Sequence, residues 1–297
     1  MELSTRDRVA LANYTEIIEG RGGPNGGVFL DISHRSKEYI LEKLPRMYEQ
    51  FMESQGLDIS QEPMEVAPTA HYTMGGVVVE SDTHATAVTG LYAAGETTAG
   101  LHGANRLGGN SLAETVVFGR HAGESAATYV TNVADGITDA TIIERAHKDM
   151  DQWFGGGAEN AVDLLQNLRD VMWETCGVVR NEERLRAGLG RLRAIKNQLR
   201  DVNVATSEDL AHLLDLRASI ISSEATLLGA IERRESRGAH QRTDYPEVDE
   251  ALAVNFITKL DEHGRLVLTS RAVPAIPDDL LPWLDDEEFE IEGRLLE

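Results

Sequence analysis

The chain has 297 residues, a formal charge of −22 and a mean hydropathy of −0.29, with length for a buried core in one large or two to three small domains. Only 5 of its 28 basic residues are Lys, and so acidic a surface excludes nucleic acid as a partner, because a row of phosphates would find no counter-charges. Cys176 stands alone, which excludes an intrachain disulfide and a cysteine-ligated iron–sulfur cluster, and no apolar run approaches the ~18 residues of a membrane span.

Ser4 with Asp7 in "STRDRVALANYTEIIEG" reads as a helix start, and the helix is expected to reach Glu19 before "GRGGPNGG" stops it. "GVFLDIS" predicts a short strand, and "KEYILEKLPRMYEQFMESQG" a helix that Pro45 either kinks or restarts. "HYTMGGVVVESD" predicts a strand and turn, "AVTGLYAAGE" a buried strand ending at Gly95, and a helix then runs to about Val130. Three helical apolar faces follow. Val162, Leu165, Leu168, Met172, Cys176 and Val179 make the first, and Leu185, Leu189, Leu192, Ile195, Leu199 and Val202 the second. Leu210, Leu213, Leu214, Ile220, Ile221, Leu227, Leu228 and Ile231 make the third and widest. Asn181 and Thr206 with Asp209 mark helix starts, and the short connections predict an antiparallel three-helix bundle. "LAVNFITKL" and "RLVLTSRAV" add two strands before an acidic tail. The fold class expected is α+β.

One stretch asks for more than packing. "LHGANRLGGNSLAETVVFGRHAG" sets three Gly, two Asn and a lone Arg directly before a helix. Backbone N–H groups of a first helical turn lack internal partners and lie at the positive end of the helix dipole, so such a loop suits an anion. Asn110 or Ser111 is the expected N-cap, and Glu96 in "GLYAAGE" is an acid placed to grip a ribose or ribityl hydroxyl. Spacing alone leaves a second reading open, a Gly-rich connection needed only for tight packing.

"HYTMGG", "GLYAAGE", "LHGANRLGGNSL" and "VVFGRHAG", in that order, closely resemble the succinate dehydrogenase/fumarate reductase flavoprotein subunits, a superfamily that includes L-aspartate oxidase. "STRDRV", "EIIEGRGG" and "ESRGAHQRTDYP" fit it too. No G-x-G-x-x-G follows a first strand, so the chain resembles the C-terminal half of such a flavoprotein. The resemblance implies a capping-domain remnant over 1–62 and the C-terminal segment of a Rossmann-like FAD-binding domain over 63–135. A helical bundle over 136–240 and a tail with short strands over 241–297 complete the expected division.

The reaction that the resemblance implies interconverts succinate and fumarate, with hydride moving between a substrate carbon and flavin N5. A dicarboxylate suits bidentate Arg. By resemblance Arg106 clamps one carboxylate, His71 hydrogen-bonds it, and Arg6 gives or takes the proton. Without the resemblance, His71 reads as a turn-supporting histidine, and Arg106 and Arg6 as surface ion-pair partners. A free guanidinium has a pKa above ~12, so the Arg6 role needs a closed, dry site with a carboxylate relay. Arg8 is the competing candidate and faces elsewhere on the helix. For FAD, the resemblance implies contacts from Gly95 and Glu96, and backbone from Asn110, Ser111 and Leu112 at the pyrimidine edge of the flavin ring. His102 is expected to shape the loop, and Arg237, His240 and Arg242 to anchor the bundle to the rest of the flavoprotein. No metal site is expected.

The expected partners are an iron–sulfur protein and the other, N-terminal half of the flavoprotein. The expected location is cytoplasmic, with attachment at the membrane only through partner subunits. Two alternatives stand beside this reading: an L-aspartate oxidase-like enzyme, and an inactive fragment that needs a second chain.

Overall fold

A computed structural model describes residues 6–133 and 140–283, with side chains from Arg8 to Pro282. It divides into two compact units, residues 1–71 with 276–297, and residues 72–275.

In the first unit, α1 (Arg6–Glu16) passes into a π-helical turn, Ile17–Arg21, in which Gly20 takes φ +77°. The helix expected to reach Glu19 therefore ends its α-helical geometry earlier, at Glu16. β1 (Val28–Leu30) pairs antiparallel with β2 (Met64–Val66). The turn before β1 is closed by Glu65, whose carboxylate accepts from the Asn25 and Gly27 N–H groups at 2.9 Å each. Between the strands lie α2 (Lys37–Lys43), capped by Ser36, and α3 (Pro45–Gln55). Pro45 restarts rather than kinks the helix, because its missing N–H costs nothing at the first helical position. Ile40, Ile59 and Met64 form this unit's core, with Tyr48, Phe51 and Val66 packed around them.

The second unit begins at Tyr72. The strands expected in "HYTMGGVVVESD" and "AVTGLYAAGE" do not form; each segment makes only an isolated bridge to a nearby stretch, Val77 with Thr98 and Tyr92 with Ala85. A strand depends on a neighbouring ladder more than on its own residues, and neither segment has one here. α4 (Asn110–Asn132) follows, then α5 (Ala140–Asp151).

α6 (Ala161–Cys176), α7 (Glu182–Gln198) and α8 (Ser207–Glu232) share one large apolar core. Leu168, Leu185, Leu192, Leu216, Ile220 and Leu227 are its largest fully buried side chains. Each helix starts at a side-chain cap: Asn160, Asn181, and a reciprocal Thr206–Asp209 capping box. Val179 and Val202, expected at the ends of the first two faces, lie beyond their helices, and Val162, Leu214 and Ile221 are exposed, while Leu216 and Ala230 are buried. Each of the three exposed residues lies one position off its stripe, and a single step turns the helix by ~100°. β3 (Val179–Arg180) pairs parallel with β4 (Gln241–Arg242), and β5 (Val254–Leu260) with β6 (Leu266–Ala272) as an antiparallel hairpin. Among the described residues no helix is long and apolar enough to cross a membrane.

Candidate functional site

The site is built around the first turns of α4. Gly76 and Gly95 allow the approach. A Cβ on Gly76 would lie 2.4 Å from the Thr97 carbonyl oxygen, so only glycine lets residues 72–77 run against the turn at 95–97. Val77 N–H donates to Thr97 O at 2.8 Å, and Thr73 N–H donates to the Glu96 carboxylate at 2.8 Å. Gly95 is buried at φ +77°, where a Cβ would press on the Thr115 side chain at 3.2 Å. The turn that carries Glu96 is thus held flush against α4.

The N-cap of α4 is Gly109, not Asn110 or Ser111. The chain enters the helix at φ +87°, a conformation glycine adopts readily and residues with a Cβ avoid. The consequence is chemical. Gly109 brings no side-chain acceptor; the Asn110 N–H donates to Leu107 O at 3.4 Å, and the first turn keeps further N–H groups for something else. Asn110 and Leu112 are exposed at this mouth, and Ser111 is half-buried.

Beneath it lies a set of polar side chains drawn together from four places in the sequence. Glu114 is 4 % exposed. Its Oε2 accepts from Tyr72 Oη at 2.6 Å and forms a short contact with His102 Nε2. The Tyr72 and His102 rings meet edge to face at 5.4 Å between centroids. The Arg106 guanidinium lies 4.6 Å above the Tyr72 ring, a cation–π distance, and its Nη1 donates to Leu107 O at 3.0 Å. Burial pushes the Glu114 carboxyl up. The hydrogen bonds from Tyr72 and His102 and the positive charge of Arg106 outweigh it and leave the group below its usual range. Tyr72 is pushed up to about 12, by burial first and then by its hydrogen bond to Glu114. A carboxylate thus stays charged in a dry place, fixing a phenol, an imidazole and, across the ring, a guanidinium.

The structure brings Gly95, Glu96, Arg106, Asn110, Ser111 and Leu112 into the second unit, around the start of α4. His71 is the last residue of the first unit's leading segment and is exposed. Arg6 opens α1, and its side chain lies outside the described residues. Sequence reasoning passed over Tyr72 and Glu114 and gave His102 a minor part. Glu114 had left a signal, a single acid inside the apolar run "SLAETVVF". Among the described residues no cluster of three His, Cys, Asp or Glu could hold a metal ion.

This arrangement fits a flavin edge better than a phosphate. An uncapped helix mouth offers N–H donors and positive potential to the pyrimidine side of the ring, while the neighbouring acid, Glu96, suits hydroxyls and would repel phosphate.

The FAD binding domain family matches residues 1–112, and the fumarate reductase flavoprotein C-terminal family matches residues 165–274. The chain is 43 % identical over 250 residues to a component of the CoM/CoB fumarate reductase of Methanothermobacter marburgensis, covering 83 % of this chain and 45 % of that protein. L-aspartate oxidase of Acinetobacter baylyi is 36 % identical over 273 residues, covering 86 % of this chain and 45 % of the relative. Sdh1 of Mycobacterium smegmatis, solved in complex with UQ1, superposes with a TM-score of 0.85 at 38 % identity, over 97 % of this chain and 50 % of that one. The chain belongs to the succinate dehydrogenase/fumarate reductase flavoprotein superfamily, whose cofactor is FAD. It spans about half the length of the relatives it matches.

Proposed function

We propose that this chain supplies the dicarboxylate clamp and the flavin-edge contacts of an FAD-dependent oxidoreductase that interconverts succinate and fumarate. The observation that carries the reading is Arg106. Its guanidinium lies over the ring of Tyr72, whose hydroxyl donates to the buried Glu114 that also contacts His102, beside a helix mouth with no side-chain cap. A planar guanidinium fork matches a carboxylate in a bidentate contact, which is the chemistry a dicarboxylate substrate calls for.

In this reading Arg106 grips one substrate carboxylate and His71 hydrogen-bonds it. Arg6 moves the proton at the substrate carbon, drawing on a carboxylate relay in a site closed to water. Glu96 hydrogen-bonds the ribityl or ribose hydroxyls, Gly95 lets backbone come close, and the backbone of Asn110, Ser111 and Leu112 faces the pyrimidine edge. FAD, when bound, supplies hydride donation and acceptance at its N5. The diphosphate of FAD is bound by the other half of the flavoprotein, joined to this chain or separate. The strongly exposed Leu107, Leu112 and Val116 around α4 support such a cover. Residues 1–62 are read as the capping-domain part, 63–135 as the FAD-domain part, and α6 to α8 as an antiparallel three-helix bundle. Electrons pass on to an iron–sulfur protein, and the location is cytoplasmic, at the membrane only through partner subunits.

The similarity to L-aspartate oxidase favours a second reading, in which the same clamp serves oxidation of a C–N bond. A visible spectrum tests both. The chain alone with added FAD is expected to retain little flavin. Combined with the complementary half, it is expected to turn yellow and bleach on addition of succinate. Tight stoichiometric flavin binding by the chain alone contradicts the need for a second half. Bleaching by L-aspartate and not succinate selects the second reading, and bleaching by neither overturns both.

A further inference from the structure

The loop that carries Arg106 is also touched from a distant part of the sequence. Arg237 and His240 pair through both backbone hydrogen bonds, at 2.9 and 3.0 Å, and close a tight turn over Gly238 and Ala239. The Ala239 N–H donates to Ala104 O at 3.1 Å, two residues before Arg106. Gly238 takes φ +56°, and a Cβ there would stand 2.2 Å from the same Ala104 oxygen and 2.8 Å from the Ala104 Cβ.

The turn itself is anchored to the three-helix core. Arg237 binds the fully buried Glu235 through Nε and Nη2, at 2.9 and 3.0 Å, and reaches Asp249 O. His240 is held on both sides, by Arg180 Nη1 at 2.8 Å and by Arg233 O at 3.2 Å. Arg242, 2 % exposed, donates to Ala230 O at the end of α8 and makes a two-point pair with Asp244. A turn fixed at this many points does not yield when pressed.

We infer that the Arg237–His240 turn is a positioning element for Arg106: backbone of the C-terminal region sets the height of the loop that presents the guanidinium. This rests on the reading of Arg106 as the dicarboxylate clamp. Any side chain at position 238 drives the Ala104 carbonyl outward and carries Arg106 with it. A displacement of about 1 Å at a substrate-holding group costs on the order of 100-fold in turnover.

The test uses two variants and one control. Gly238→Asn tolerates a positive φ, so it isolates the collision from backbone strain, and Gly238→Ala adds that strain. Gly264→Asn places the same residue at φ +71° with nothing within 4 Å, and serves as the control. On the full chain, the side-chain protons of Arg106 should show an upfield ring-current shift from Tyr72. Gly238→Asn and Gly238→Ala are expected to erase it while the helical circular dichroism stays intact; Gly264→Asn keeps it. In the chain combined with its complementary half and FAD, Gly238→Asn should weaken succinate binding about 100-fold with flavin content unchanged. A ring-current shift that persists in Gly238→Asn overturns the inference. So does unchanged succinate binding in Gly238→Asn when Arg106→Ala abolishes it. Succinate binding that survives Arg106→Ala sinks the clamp reading instead.

Discussion

Glu114 is the residue on which the candidate site turns. A carboxylate at 4 % exposure is costly unless it is paired, and here a phenol, an imidazole and a nearby guanidinium share the task. Tyr72→Phe removes one of its donors and is expected to destabilise the protein by about 1–2 kcal/mol in urea unfolding, with the helical core intact. The pH dependence has a definite sign. The Tyr72 proton is held to about 12 in the folded chain, whereas the unfolded chain releases it near 10.0. The contribution of Tyr72 therefore falls as pH rises through that window, and Tyr72→Phe should flatten the fall. Glu114 works from the acid side. Its carboxyl lies below its usual value of 4.5 in the folded chain, so its contribution is present above that pH and lost as pH drops through the folded value. Glu114→Gln should flatten the acid limb of a stability-against-pH curve. A limb as steep as that of the parent would remove Glu114 from the network.

At the scale of elements, legibility followed locality. α6, α7 and α8 could be read from apolar spacing, and α7 and α8 also from their caps, because these signals lie within one helix. The segments around Val77 and Tyr92 could not, since an extended segment becomes a strand only beside another. The loop with Arg106 and the helix after it were visible as glycines and an abrupt change of composition. The grouping of Tyr72, His102 and Glu114 was not, because it joins positions up to 42 residues apart through side chains alone. Close helix crossing was equally hidden. A Cβ on Gly188 of α7 would lie 2.1 Å from Thr175 Oγ1 and 3.4 Å from Leu227, so α6 and α8 both press on this position. Gly188→Ala should cost about 1–3 kcal/mol through overpacking, even though alanine favours helix. A melting temperature at or above that of the parent would show that the crossing has room to relax.

For the whole molecule, a charge of −22 spread along 297 residues works against compactness, and salt relieves it. Thermal stability is expected to rise as KCl increases from ~0.1 M to ~1 M, where the screening length shrinks from about 10 to 3 Å. A maximum at low salt would contradict that. The chain also spans about half the length of its relatives, and Leu107, Leu112 and Val116 around the start of α4 are strongly exposed. All of this converges on whether one guanidinium holds the substrate. The most direct measurement is the succinate dissociation constant of the flavin-loaded, two-part protein by titration calorimetry, for the parent and for Arg106→Ala. The account predicts that the variant keeps its flavin and loses at least about 100-fold in affinity, as expected when a charge-assisted, two-point contact is removed. Equal affinities in the two proteins would place the substrate somewhere other than against Arg106.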